Sequence, residues 1–115
     1  TGFYREVADI ILGRLGWVPD VNATSGIHLS VTPDEVNGEG RPSPAMIQYA
    51  MEKLSITDVE EVINVGDTPV DLLFGKNAGV RYALGVCNGT HTREQLAAHP
   101  NDGLLDKISD LLSYV

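Results

Sequence analysis

Apolar residues along the chain recur with two different periods, and the switches between them predict its elements. Phe3, Val7, Ile10, Ile11 and Leu15 fall at the spacing of one face of an amphipathic helix, with Gly13 and Gly16 loosening its end. Trp17 to Gly26 is polar and turn-rich, as a linker would be. Ile27, Leu29 and Val31 then alternate with polar residues, the pattern of a half-buried or edge strand, which Thr32-Pro33-Asp34-Glu35 closes. Asn37 to Pro44 is too dense in glycine and proline for regular structure, and it ends with Ser43 as expected N-cap and Pro44 at the first helical position. The helix it opens turns Ile47, Ala50, Met51 and Leu54 inward and leaves Gln48, Glu52 and Lys53 outside.

The second half has a shorter rhythm. Val62-Ile63-Asn64-Val65 reads as a buried strand that breaks at Gly66. Thr68 as N-cap, Pro69 at N1 and Asp71 at N3 then start a helix carrying Val70, Leu73, Phe74 and Ala78, which Gly79 caps in a left-handed conformation. Tyr82 to Val86 reads as a second buried strand. Thr92 with Gln95 forms a capping box for a short helix stopped by Pro100. Asp102 is expected to cap a last helix in which Leu104, Leu105, Ile108, Leu111, Leu112 and Val115 make one packing stripe. Helices alternating with short apolar strands predict an α/β layer fold with a parallel sheet, whose sites lie at the carboxyl ends of the strands.

Length and charge narrow the possible functions. With 115 residues, the chain suffices for one domain, 1–115, and one core. No apolar run approaches a membrane span and no basic-then-apolar leader is present, so a soluble, cytoplasmic protein is expected. Eight basic against 16 acidic residues, a net charge of −8, argue against a nucleic-acid surface and against anionic membranes. Small anions are compatible only where local cations or a metal gather them. Cys87 is the single cysteine, which excludes an intrachain disulfide and a thiolate metal cage and suits a small core or rim residue.

The candidate chemistry lies at the strand-turn-helix junction, Gly66 to Asp71. A strand ending in glycine and entering a helix leaves backbone N–H groups facing the crevice, where the helix dipole favours an anion. Asp67 and Asp71 at that mouth would repel a phosphate unless a divalent cation reconciles them, and Mg²⁺ binds through one or two carboxylates plus substrate phosphate oxygens. The same residues also make a good helix start with no chemistry, and the local pattern supports both readings.

Three segments in order, Thr1-Gly2-Phe3-Tyr4-Arg5, Gly40-Arg41-Pro42-Ser43-Pro44 and Val65-Gly66-Asp67-Thr68-Pro69-Val70-Asp71 with Asn77-Ala78-Gly79, resemble the C-terminal portion of the haloacid dehalogenase (HAD) superfamily of phosphohydrolases, and within it the phosphonatase-like members. The resemblance runs from Thr1 to about Leu112 and implies a HAD-like Rossmannoid, three-layer α/β core with a parallel sheet. It implies that Thr1, with the Gly2 N–H, binds phosphoryl oxygens, and that Arg41 offsets charge on the nucleophile and the transferring group. Asp67 is implied as the Mg²⁺ ligand, with Asp71 a second carboxylate at or just outside the metal that orients ligands or Arg41.

The superfamily also needs an Asp-x-Asp pair, one Asp as nucleophile and one as acid and base, and a cap between its first and second motifs. No Asp-x-Asp occurs in these 115 residues. Neither Lys53, Lys76 nor Lys107 lies in a segment matching the Schiff-base lysine that phosphonatases carry in the cap. The expectation is therefore a piece of a Mg²⁺-dependent hydrolase of phosphate monoesters or phosphonates, lacking the N-terminal strand and cap and inactive by itself. A non-catalytic α/β metal-binding or regulatory module is the alternative, and strand edges left unpaired would favour a homo-oligomer.

Overall fold

The computed structural model describes residues 1–115, which divide into two compact units, Thr1–Thr57 and Asp58–Val115. No helix is long and apolar enough to cross a membrane.

The first unit contains helix α1, Arg5–Leu15, a capped 3₁₀ turn, Pro33–Val36, and helix α2, Ala45–Lys53. Helix α1 forms where the periodicity places it and ends on Gly16 with φ 69°, a left-handed cap that glycine adopts without steric cost. Its apolar stripe is not a buried face, however. Ala8 is its buried residue, whereas Phe3, Val7, Ile10, Ile11 and Leu15 are exposed, Ile10 by 60%. The spacing was sufficient to define a helix and does not by itself bring a partner to it.

The expected strand at Ile27 to Val31 is an extended segment without a ladder. Two of its carbonyls are taken by donors that belong to no strand: Ile27 accepts from the Asp20 N–H at 3.0 Å and Ser30 from an Arg5 guanidinium nitrogen at 2.7 Å. Alternation marks a half-buried extended chain, and a strand additionally requires a neighbour in register.

Arg5 fixes the turn that follows. Its guanidinium donates to Glu35 Oε1 at 2.7 Å and to Asp9 at 3.0 Å, and its backbone N–H donates to Asp34 at 2.6 Å. Glu35 Oε2 also accepts from the Thr32 N–H at 2.8 Å and from the Thr32 hydroxyl, so a fully buried threonine is satisfied as a capping box. At α2 the first residue is Ala45, with Pro44 as N-cap, one position later than expected; Ser43 Oγ still accepts from the Ala45 N–H at 3.3 Å. Met46 and Ile47 are its buried residues, and Ala50, Met51 and Leu54 are half-buried.

The second unit is a three-stranded parallel sheet in the order β1, Ile63–Gly66; β2, Tyr82–Val86; β3, Gly103–Leu105. Helix α3, Pro69–Ala78, connects β1 to β2, and helix α4, Arg93–Ala97, lies between β2 and β3. Close approach of α3 to the sheet depends on Gly75, where a Cβ would stand 2.9 Å from Cβ of Ala83 and 3.1 Å from Cβ of Asn64. Leu72, Ala83, Leu84 and Leu96 are fully buried, whereas Leu73, expected inside, is 49% exposed because the buried arc of α3 runs through Asp71, Leu72, Phe74 and Gly75.

The expected C-terminal helix is replaced by two elements. Gly103–Leu105 pairs with β2, and a 3₁₀ segment, Ile108–Tyr114, follows it. Asp102 is not a helix cap. Its N–H donates to the Ala83 carbonyl at 2.9 Å and its carboxylate accepts the Ala83 N–H at 2.8 Å, so it starts the β2–β3 pairing. Leu105 is buried in the sheet, and Ile108, Leu112 and Val115 are exposed, Leu112 by 75%. A strand consuming Leu104 and Leu105 removes the first turn of the proposed stripe, and what remains is too short to need one.

Candidate functional site

Parallel pairing sets the geometry of the site. Gly66 is level with Gly85, so the carboxyl ends of β1 and β2 open side by side and the loops beyond them meet. Asp67 follows β1 directly. Its Oδ2 accepts the Thr90 N–H at 3.0 Å and the Thr90 hydroxyl at 2.9 Å, and Oδ1 lies outside these two bonds. These two bonds, and then its own backbone N–H and the nearby His91, hold the Asp67 carboxyl below the ordinary range, outweighing partial desolvation, so it is ionised at neutral pH.

Two glycines are required by this packing. A Cβ on Gly89 would lie 2.5 Å from both Cβ and Oδ2 of Asp67. A Cβ on Gly66 would overlap Cβ and Cγ of Asp71. The chain therefore places each aspartate against a position where no side chain fits.

Asp71 is 8% exposed and serves the helix start. Its Oδ2 accepts the Thr68 N–H at 3.1 Å and the Thr68 hydroxyl at 2.8 Å, and Thr68 Oγ1 in turn accepts the Asp71 N–H at 3.3 Å. Pro69 occupies N1, and Asn64 Nδ2 donates to the Asp71 carbonyl at 2.9 Å, tying β1 to the first turn of α3. The capping arrangement expected from the sequence is thus formed, and Oδ2 of Asp71 is committed to it.

In the first unit the structure brings Arg41 to the Thr1-Gly2 step: a Cβ on Gly2 would lie 2.5 Å from a guanidinium nitrogen of Arg41. The Arg41–Pro42 peptide is cis. Thr1 Oγ1 accepts the Phe3 N–H at 3.3 Å, so the hydroxyl oxygen faces the turn into α1. Cys87 is half-buried at the rim, its N–H bonded to the Leu105 carbonyl at 2.8 Å.

No three His, Cys, Asp or Glu side chains cluster as a metal cage. The donor set instead offers one ionised carboxylate oxygen, Asp67 Oδ1, at a partly exposed strand end. That fits a hard cation such as Mg²⁺, which keeps several waters and binds through one or two carboxylates. Gly89, Thr90 and His91 escaped the sequence reading, although Asn88-Gly89 just after β2 marks a loop at a strand carboxyl end, where α/β sites form.

A family model described as HAD-hydrolase-like matches residues 39–111. A phosphonoacetaldehyde hydrolase from Lactiplantibacillus plantarum is 34% identical over 94 residues, covering 79% of this chain and 32% of that protein. The pyrophosphatase PpaX from Bacillus pumilus is 41% identical over 85 residues, covering 74% of this chain and 38% of that protein. The chain thus spans about a third of the length of these curated relatives, 32% and 38%. Among solved structures, a HAD family hydrolase from Deinococcus radiodurans R1, with bound phosphate and sodium, superposes with a TM-score of 0.75 at 21% identity, over 98% of this chain and 48% of that one, a likeness of fold.

Proposed function

We propose, since the chain belongs to the HAD-hydrolase-like family, that it supplies part of the machinery of a Mg²⁺-dependent hydrolase acting on a phosphate monoester or a phosphonate. The observation that carries this reading is Asp67: ionised, anchored at Oδ2 by two donors from Thr90, with Oδ1 outside those two bonds where a parallel strand ends. Asp67 would hold Mg²⁺, with Asp71 beside it as a second carboxylate that orients the turn. When bound, Mg²⁺ offsets the charge that otherwise keeps an anionic nucleophile from an anionic phosphorus centre.

Three further assignments rest on the motif match. Arg41 supplies a fixed cation toward the transferring group, and the Thr1 hydroxyl and Gly2 N–H bind phosphoryl oxygens. The nucleophile is assigned to a carboxylate outside these 115 residues, because none of their aspartates stands in an Asp-x-Asp pair. Its oxygen would bond to phosphorus as the bond to the leaving group breaks, the leaving group keeping the electron pair and taking a proton from an acid. Water would then cleave the resulting aspartyl phosphate and release phosphate.

A phosphonoacetaldehyde hydrolase and a pyrophosphatase among the relatives support a phosphorus-containing substrate and favour neither compound over the other. The test is phosphate release from p-nitrophenyl phosphate with Mg²⁺ by the purified 115-residue chain. No release above buffer is expected. Sustained Mg²⁺-dependent turnover that Asp67→Asn abolishes would place the nucleophile inside this chain and overturn the assignment.

A further inference from the structure

We propose that Thr90 is the positioning residue for Asp67, holding Oδ2 with both its N–H and its hydroxyl so that Oδ1 is the oxygen presented to a divalent cation. The proposal rests on the metal role assigned to Asp67 above and adds the residue that orients it. No motif in the sequence marks Thr90 for such a role.

Proton accounting supports a directed chain of bonds. A threonine hydroxyl has one proton, and an ionised carboxylate only accepts. At 2.9 Å from Asp67 Oδ2, that proton is donated to Asp67, so Oγ1 has only lone pairs for its other neighbour, His91 Nδ1, also at 2.9 Å. His91 is therefore the donor, its Nδ1 protonated, and the order runs Nδ1–H to Oγ1–H to Oδ2. The hydroxyl cannot rotate away without breaking one bond or the other, and the Thr90 N–H, at 3.0 Å, fixes the same oxygen from the backbone.

Gly89 provides independent evidence that the loop is fitted to this carboxylate. Its Cα stands so close to Asp67 that an added Cβ would meet Cβ and Oδ2 at 2.5 Å and Cγ at 2.9 Å. A loop that merely passed by would not need glycine there. Capping of α4 by Thr92 continues immediately after His91, with Gln95 Oε1 accepting the Thr92 N–H at 2.8 Å, so a helix start anchors the far end of the loop. Groups that orient a metal ligand commonly change metal affinity by about 10–100-fold when removed.

The test compares Thr90→Val, which keeps the shape and the N–H but loses the hydroxyl, with Thr90→Ser, which restores it. Thr90 is exposed, so neither change burdens the core. Two quantities are read on the isotope-labelled 115-residue chain: the pH midpoint of the Asp67 side-chain carboxyl carbon without metal, and the Mg²⁺ affinity from the amide shifts of Asp67 and Thr68. Thr90→Val is expected to raise the midpoint toward the ordinary aspartate value and to weaken Mg²⁺ about tenfold. Thr90→Ser is expected to return both to wild type. Mg²⁺ binding at Asp67 that Thr90→Val leaves unchanged, or that Thr90→Ser fails to restore, overturns the positioning role and leaves the metal reading intact. A wild-type chain whose Asp67 does not respond to Mg²⁺ overturns both, even if the carboxyl midpoint moves as expected.

Discussion

Replacing Gly66 by alanine tests whether the strand-to-helix junction is as tightly built as its geometry indicates. The added Cβ would overlap Cβ and Cγ of Asp71 and lie 2.5 Å from Oδ2. A rotamer change offers no escape, because the Cβ of Asp71 is fixed by the backbone of α3. The first turn of α3 must move away from β1, which strains the bond from Asn64 Nδ2 to the Asp71 carbonyl and the reciprocal bonds between Thr68 and Asp71. Forcing an extra methyl into a packed site costs about 1–3 kcal/mol, and losing an N-cap costs about 1 kcal/mol more. The expected destabilisation is therefore about 3 kcal/mol. Urea unfolding followed by circular dichroism reads this directly: with a slope of about 1.5 kcal/mol/M, the midpoint falls by about 2 M. A midpoint within about 0.3 M of wild type would mean that the junction yields easily and that the close packing of Asp71 on Gly66 is not a constraint.

Acid should loosen the first unit through Glu35. Hydrogen bonds from Thr32 and Arg5 outweigh its desolvation and hold its carboxyl at about 2 against an ordinary 4.5. A group depressed on folding contributes stability that is present above its unfolded value and is lost as pH falls through the folded one. The contribution, about 2 kcal/mol after discounting for a side chain 22% exposed, should fade between pH 4.5 and about 2. Glu35→Gln should flatten that part of the stability profile, and an unchanged acid limb would refute the assignment. At the sheet, Asp102→Ala should cost about 1–3 kcal/mol by orphaning the Ala83 N–H, whereas Lys76→Met, which removes only the half-exposed partner ion, should cost no more than about 1 kcal/mol. Thermal unfolding of the two variants separates the effects, and equal losses would contradict the role given to the backbone bond.

Local chemistry was the legible part of this chain. Helix α3 with its Thr68 and Asp71 capping box, the Gly79 cap, the capping box at Thr92 and Gln95, and the strands on either side of α3 all follow from residues within four positions of one another. The errors fall where a distant partner decides. Ile27 to Val31 alternates like a strand, but the Ile27 and Ser30 carbonyls are taken by Asp20 and Arg5. Leu104 and Leu105 fit a helical stripe until Asp102 binds both backbone groups of Ala83 and turns them into β3. Leu73 fits the helix spacing, yet the sheet selects the neighbouring arc through Leu72 and Gly75.

The same division holds at the candidate site. Asp67 and Asp71 were visible as acids at a strand end, because the junction announces itself through glycine, threonine and proline. Thr90 was not, since its meeting with Asp67, 23 positions earlier in the chain, is a product of parallel register between β1 and β2. Long-range pairs of this kind leave no local period or motif to read.

The most direct measurement is a Mn²⁺ titration of the ¹⁵N-labelled chain, Mn²⁺ standing in for Mg²⁺ as a paramagnetic probe that broadens nearby amide signals. Selective broadening of Gly66, Asp67, Thr68 and Thr90 at low Mn²⁺, abolished by Asp67→Asn, is the predicted result. Broadening spread over the acidic surface, with those four signals no more affected than the rest or with the Asp67→Asn chain behaving like wild type, would contradict it.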